Sequence, residues 1–209
     1  TRKESSAASD VYKRQGMYSR GMDTRKRLVD ATQELLWERG YAATSPKDIL
    51  SRADAGQGSM YHHFSGKQDL AIAALEASAT VMREDADALL RDERSATERL
   101  IAYLERQRDS LRGCRMGRMT YDADVLATPE LLKPVSETLA WLVETIASVI
   151  NEGIDAGEFP PGTDAHQLAS MVVATVQGGY VLARAQQDPA EFDAAIRGAT
   201  TLLHTWSRR

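Results

Sequence analysis

Residues 56–67, Gly-Gln-Gly-Ser-Met-Tyr-His-His-Phe-Ser-Gly-Lys, constrain the fold more than any other stretch of this chain. Two glycines open the stretch and Ser65-Gly66 closes it, so a helix inside has room for about two turns. Met60 and Phe64 stand four apart and share one helical face. Tyr61, His62 and His63 carry polar ring atoms that cannot all be buried together. Gln57 and Ser59 sit at the start, where a helix entering a groove presents side chains to base edges. So short a helix, with so small an apolar face, cannot stand alone. It fits as the second helix of a helix-turn-helix. The residues just upstream read as the first. Ser45 is the N-cap, Pro46 the first helical residue and Asp48 the acid of a capping box. That helix runs to about Arg52. Residues 53–56 form the turn, with Asp54 best suited to a left-handed backbone after glycine.

On these residues the chain resembles the N-terminal domain of TetR-family transcriptional regulators. The pattern is Thr44-Ser45-x-x-x-Ile49, a short turn, then Gly58-Ser59-Met60-Tyr61-His62-His63-Phe64-x-x-Lys67. The helix opening at Thr24-Arg25-Lys26-Arg27-Leu28 and closing at Gly40-Tyr41 is similar to the family's first helix. The likeness covers roughly residues 23–75. It departs at Asp54, where the family usually has Gly, and at Gly56, where it has Ser or Thr. A glycine N-cap is weaker than serine by a few tenths of a kcal/mol.

Charge is divided along the chain in a way that favours an N-terminal nucleic-acid face. Residues 1–22 carry five basic and two acidic side chains, residues 23–67 seven and six, and residues 68–209 14 and 22. The acidic excess behind the net charge of −4 therefore lies entirely C-terminal. Only the N-terminal part suits phosphate. There Gln57 and Ser59 are expected to read bases, and Gly58 to let the backbone approach. Tyr61, His62, Lys67 and Arg25 are expected at phosphates. Thr44, Ser45, Lys47 and His63 complete the expected DNA-facing set. Phe64 is expected in the core.

Residues 1–22 read as a tail without regular structure. Ser9 to Gln15 resembles translated sequencing-adapter sequence, which places the natural start at Met17 or Met22. The alternative is a basic arm for the minor groove. The expected division is a tail at 1–22, a helix-turn-helix domain at 23–67 and a helical domain at 68–209.

The rest of the chain reads as helix throughout, so the expected fold class is all-α. The expected helices are Asp23 to Arg39, Lys67 to about Arg91, Ala96 to Leu111, a short one from Arg115 to Val125, one whose start Pro129 and Pro134 bracket and which ends at Gly157, one capped by Thr163 or Asp164, and Pro189 to about Trp206. No apolar run reaches the ~18 residues needed to span a bilayer. Cys114 is the single cysteine, which excludes an internal disulfide and fits a reducing cytoplasm. The four histidines sit in no HExxH pattern, and no nucleophile turn is present, so neither a catalytic nor a metal site is expected. No cofactor is expected either.

Gly113-Cys114-x-Met116-Gly117, the Pro129 segment and Gln177-Gly178-Gly179-x-x-Leu182-Ala183-Arg184 are similar to the ligand-binding domains of one TetR subgroup. That resemblance implies a homodimer built on the last two helices and an effector pocket among the middle ones. It also implies a small, largely apolar effector. The expected pocket residues are Tyr103, Gln107, Cys114, Met119, Tyr121, Trp141, Met171 and Gln177, each of which could instead be ordinary core. Cys114 could also be a reactive thiol among arginines, or simply a small residue in a tight junction. Leu202, Leu203 and Ile196 are expected at or beside the partner, with Gly178-Gly179 allowing a close approach. The functional expectation is a cytoplasmic, ligand-responsive repressor of double-stranded operator DNA. The alternative is a helical small-molecule binding or scaffold protein with no operator.

Overall fold

The computed structural model describes residues 24–207, and every regular element among them is a helix. They are α1 (residues 24–39), α2 (Pro46–Ala53), α3 (Gln57–His63), α4 (Lys67–Leu90), α5 (Ala96–Glu105), α6 (Arg115–Met119), α7 (Ala123–Ala127), α8 (Pro129–Asp155), α9 (Ala165–Gln186) and α10 (Pro189–Trp206). The tail expected at residues 1–22 lies outside the described residues. The chain divides into two compact units, one ending at Ala74 and one beginning at Leu75. The division therefore falls inside α4, seven residues beyond the expected boundary at Lys67.

In the first unit, Leu28, Leu35, Ile49, Met60 and Leu70 are fully buried and form the interior. Gly40 closes α1 with a φ of +86°. The capping box of α2 is present: Asp48 N–H donates to Ser45 Oγ at 3.2 Å, and Ser45 N–H donates to Asp48 at 3.0 Å. Asp54 ends α2 with φ 47° and ψ 54°, in the left-handed region expected for it. Arg27 reaches across from α1 and donates to the Ala53 and Asp54 carbonyls, both at 3.0 Å. A guanidinium satisfies the open end of α2 and fixes it to α1.

In the second unit, α8, α9 and α10 pack together, and α5 lies on α8 and α10. The core includes Leu100, Leu104, Ile146, Ile150, Val172, Val176, Phe192 and Leu203. Two helix boundaries differ from the sequence reading. Helix α5 stops at Glu105 rather than Leu111. Arg108 folds back and takes the carbonyls of Leu104 at 2.7 Å, Arg106 at 3.0 Å and Tyr103 at 2.5 Å, ending the ladder there. The segment expected from Arg115 to Val125 is two helices, because Asp122 turns its carboxylate onto the N–H groups of Asp124 and Val125 and starts α7. Pro134 lies inside α8, in its second turn, where a proline removes a single ladder bond. Helix α9 is long and apolar enough to cross a membrane by length and composition, where no such run was expected. Burial in this unit accounts for part of that apolarity: Leu168, Val172 and Val176, and Val173 and Tyr180, are all core.

Glu158 anchors the start of α5 from more than 60 residues away. Its carboxylate accepts the N–H groups of Ala96 and Thr97, both at 2.9 Å. Burial alone would push this carboxyl up, but those two donors, the Thr97 side chain and Arg99 together hold it below the ordinary value of 4.5. A carboxyl lowered on folding stabilises the fold above its unfolded pKa, and that stability is lost as pH falls through the folded value. Glu158→Gln should therefore lose about 1–2 kcal/mol at neutral pH by urea denaturation. The gap to wild type should close as pH drops below 4.5. A gap that is constant with pH would remove the carboxylate from this role.

Candidate nucleic-acid interface

Helix α3 is held by few contacts and leaves most of its surface free. Met60 is fully buried and Phe64, which caps the C-terminus, is nearly so. Gln57, Gly58, Ser59, Tyr61 and His62 are exposed, Tyr61 at 54%. The N-cap, Gly56, offers no side-chain bond. A Cβ built at Gly56 or Gly58 would meet nothing within 4 Å. Neither glycine is therefore required by packing within this unit. Of the first four N–H groups of α3, those of Ser59 and Met60 are taken by the Gly56 carbonyl, at 3.0 and 3.3 Å.

Around this helix stand the expected cations. Arg25 lies 5.2 Å over the Phe64 ring and Lys67 Nζ lies 3.9 Å over the Tyr41 ring. Each is steered by an aromatic face. Lys67 is thereby fixed at the first residue of α4, where helix N–H groups add to its positive charge. Lys47 is exposed on α2. Neighbouring Arg52 and Arg39 are committed elsewhere, to Glu38 at 2.7 Å and Asp48 at 3.6 Å. His62 and His63 meet edge to face at 4.8 Å, and His63 also leans on Phe64. Burial, with His62 and Arg25 nearby, pushes His63 below the ordinary histidine value. His63 thus braces His62 and is itself half-buried.

Two expected contact residues spend their hydroxyls on the fold itself. Thr44 is 2% exposed and its hydroxyl donates to the Gly40 carbonyl at 2.7 Å, so its role is in the turn after α1. Ser45 is exposed, but its hydroxyl serves the α2 cap.

The expected effector residues do not converge on one cavity. Tyr103 is buried, Cys114 is half-buried, and both belong with Tyr180 and Arg108. Gln177 lies on Gly117, beside Cys114. Cys114 Sγ accepts the Gly117 N–H at 3.3 Å and so caps α6. These three form one group. Met119 is fully enclosed in the interior, whereas Tyr121 is 76% exposed on the outside. Trp141 carries Arg83 over its ring at 5.6 Å. Gln107 borders a groove of about 360 Å³ with Leu104, Arg108 and Phe192. Met171 borders another, of similar size, with Leu202 and Trp206. Sequence reasoning missed Arg108, Tyr180 and Arg184; the last two lie three and seven residues after Gln177, on its own helical face.

A capped positioning helix, a left-handed turn and a short exposed helix ringed by cations define a helix-turn-helix DNA-binding protein. Residues 28–74 match the family described as bacterial regulatory proteins, tetR family, and residues 90–199 match the tetracyclin repressor-like C-terminal domain. The chain belongs to the TetR family. It is 27% identical over 186 residues to an uncharacterized HTH-type transcriptional regulator of Mycobacterium tuberculosis, covering 86% of this chain and 93% of that protein. It is 25% identical over 174 residues to the HTH-type transcriptional regulator BetI of Rhizobium meliloti, covering 82% and 83%. A TetR transcriptional regulator from Chloroflexus aurantiacus superposes with a TM-score of 0.80 at 28% identity, covering 89% and 96%. This protein is a helix-turn-helix transcriptional regulator in a family of ligand-responsive repressors, and its relatives are regulators rather than enzymes.

Proposed function

We propose that this protein represses transcription in the cytoplasm by binding operator DNA as a homodimer, and is released by a small molecule held in its second unit. The observation that carries this reading is the free face of α3, Gln57 to His62, set on Met60 and Phe64. Residues from Asp23 to Ala74 bind DNA; those beyond hold the effector and the partner. Gln57 and Ser59 read base edges. Tyr61, His62, Lys67, Lys47 and Arg25 meet phosphates. His63 positions His62, and Gly58 lets α3 lie close to the duplex. The effector lies near Tyr103, Cys114 and Gln177, in largely apolar surroundings.

The test is a gel shift on an operator selected from random duplex, run across salt concentrations. Wild type should bind with a steep negative salt slope. Tyr61→Ala and Lys67→Ala should each weaken binding to all sequences alike and lessen that slope by about one. Gln57→Ala should chiefly relax base preference. Equal changes in specificity from all three would overturn this sorting of contacts.

Gly58→Ala separates fold from function. Its Cβ has open space, so helix propensity should raise thermal stability by up to about 1 kcal/mol. Operator affinity should nevertheless fall. A variant that melts higher and binds equally well would mean that α3 does not approach DNA through this glycine.

A further inference from the structure

In the second unit, two glycines of the α5–α6 turn and α6 lie beneath two polar side chains of α9. A Cβ at Gly113, where φ is +82°, would stand 3.5 Å from Arg184 Cδ and 3.6 Å from its Nη1. A Cβ at Gly117 would stand 2.2 Å from Gln177 Oε1, so the amide would have to swing away. Gln177 and Arg184 are seven residues apart, two turns along one face of α9. Arg118 follows Gly117 directly, and its Nε is buried with no acceptor. Neither Arg118 nor Arg184 makes a side-chain hydrogen bond or ion pair among the described residues. Burial lowers Arg118 first, and the charge of Arg184 lowers it further. The carboxylate that partly offsets this is Asp122, whose Oδ1 is engaged at the start of α7.

Arg118 is half-buried and Arg184 exposed, and two like charges brought together with only the engaged Asp122 to offset them are unfavourable. Guanidinium groups so placed match the planar oxygens of a carboxylate or phosphate. We infer that Arg118 and Arg184 form the seat for the anionic head of a small organic ligand, with the Gln177 amide as a neutral third contact. This deepens the effector reading above and rests on it. The effector is then an organic anion, with an apolar body toward Tyr103 and Tyr180 and its carboxylate or phosphate on the arginines.

The test uses the full chain with 15N-labelled arginine, following the Arg Nε–H resonances. Inorganic phosphate and acetate are each titrated against chloride at constant ionic strength. The Arg118 signal should move and saturate in the millimolar range with at least one of them. The anion that saturates first assigns the head group. Arg184→Gln should weaken that binding by about tenfold or more. Arg184→Met, which keeps the methylenes over Gly113, should melt no lower than wild type without anion, because a repulsion is relieved. A shift that is linear and no larger than with chloride overturns the inference. So does an Arg184→Gln protein that titrates like wild type. If Arg184→Gln instead sediments as a monomer, the arginine holds a partner carboxylate and the inference also falls. Loss of operator binding with an intact titration would count against the DNA-binding reading alone.

Discussion

Phe159→Ala should lower stability by about 3–5 kcal/mol, the largest effect expected of any single core change here. Phe159 is 2% exposed and lies on Gly153 of α8. A Cβ at Gly153 would stand 2.6 Å from the Phe159 ring and 2.8 Å from Ala96 Cβ. The ring therefore fills the junction where α8, the start of α5 and the turn after α8 come together. Removing it opens a cavity that these elements cannot close, because the adjacent Glu158 is held on the α5 backbone. The loss should appear as a drop in melting temperature of about 6–20 °C for a chain of this size. A drop under about 3 °C would mean that the junction collapses onto the vacant space. Gly153→Ala should act in the same direction by overpacking, at about 1–3 kcal/mol.

Gly178→Leu should leave the monomer fold intact yet lower operator affinity by about a hundredfold or more. The sequence could not separate Gly178 from Gly179. The structure does: a Cβ at Gly179 would sit 2.9 Å from Phe192 of the same chain, whereas one at Gly178 meets nothing within 4 Å. Gly179 thus serves the α9–α10 contact within one chain, and Gly179→Leu would damage that core. Ile196 and Leu203, expected at the partner, are buried inside the chain as well. The outward residues are Met171, Gly178, Val181 and Leu182 on α9, with Leu202 on α10, 62% exposed. A leucine in place of Gly178 would hold two such faces apart. Two half-sites read by linked subunits gain ~10²–10⁴ in affinity over one, and this is what dissociation removes. Sedimentation of Gly178→Leu as a dimer, together with unchanged operator affinity, would place the partner elsewhere.

Local chemistry was legible in the sequence. Ser45, Pro46 and Asp48 announced α2 because a capping box needs nothing beyond four residues. Asp54 announced its own left-handed turn, and Pro189 opened α10 at the residue expected. What was not legible depends on groups distant in sequence. Arg108 ends α5 by turning back on three carbonyls, and nothing in the apolar spacing of Leu100, Tyr103, Leu104 and Leu111 signals that. Glu158 caps a helix that begins 62 residues before it. Nothing around Gly117 signals that the Gln177 side chain lies against it. At the candidate site, exposure divided the expected residues: Gln57, Ser59, Tyr61 and His62 stand outward, whereas Thr44 is sealed inside the turn. Periodicity alone could not assign Thr44, because a lone threonine before an N-cap fits a turn and a groove equally well.

The sparse anchoring of α3 bears on how such a protein acquires a new target. Of its seven residues, only Met60 is buried and His63 half-buried. Substitutions at 57, 58, 59, 61 and 62 disturb no packing, so foldability does not screen them. A duplicated copy of this chain could therefore drift to a different operator through single changes, each intermediate remaining a stable protein.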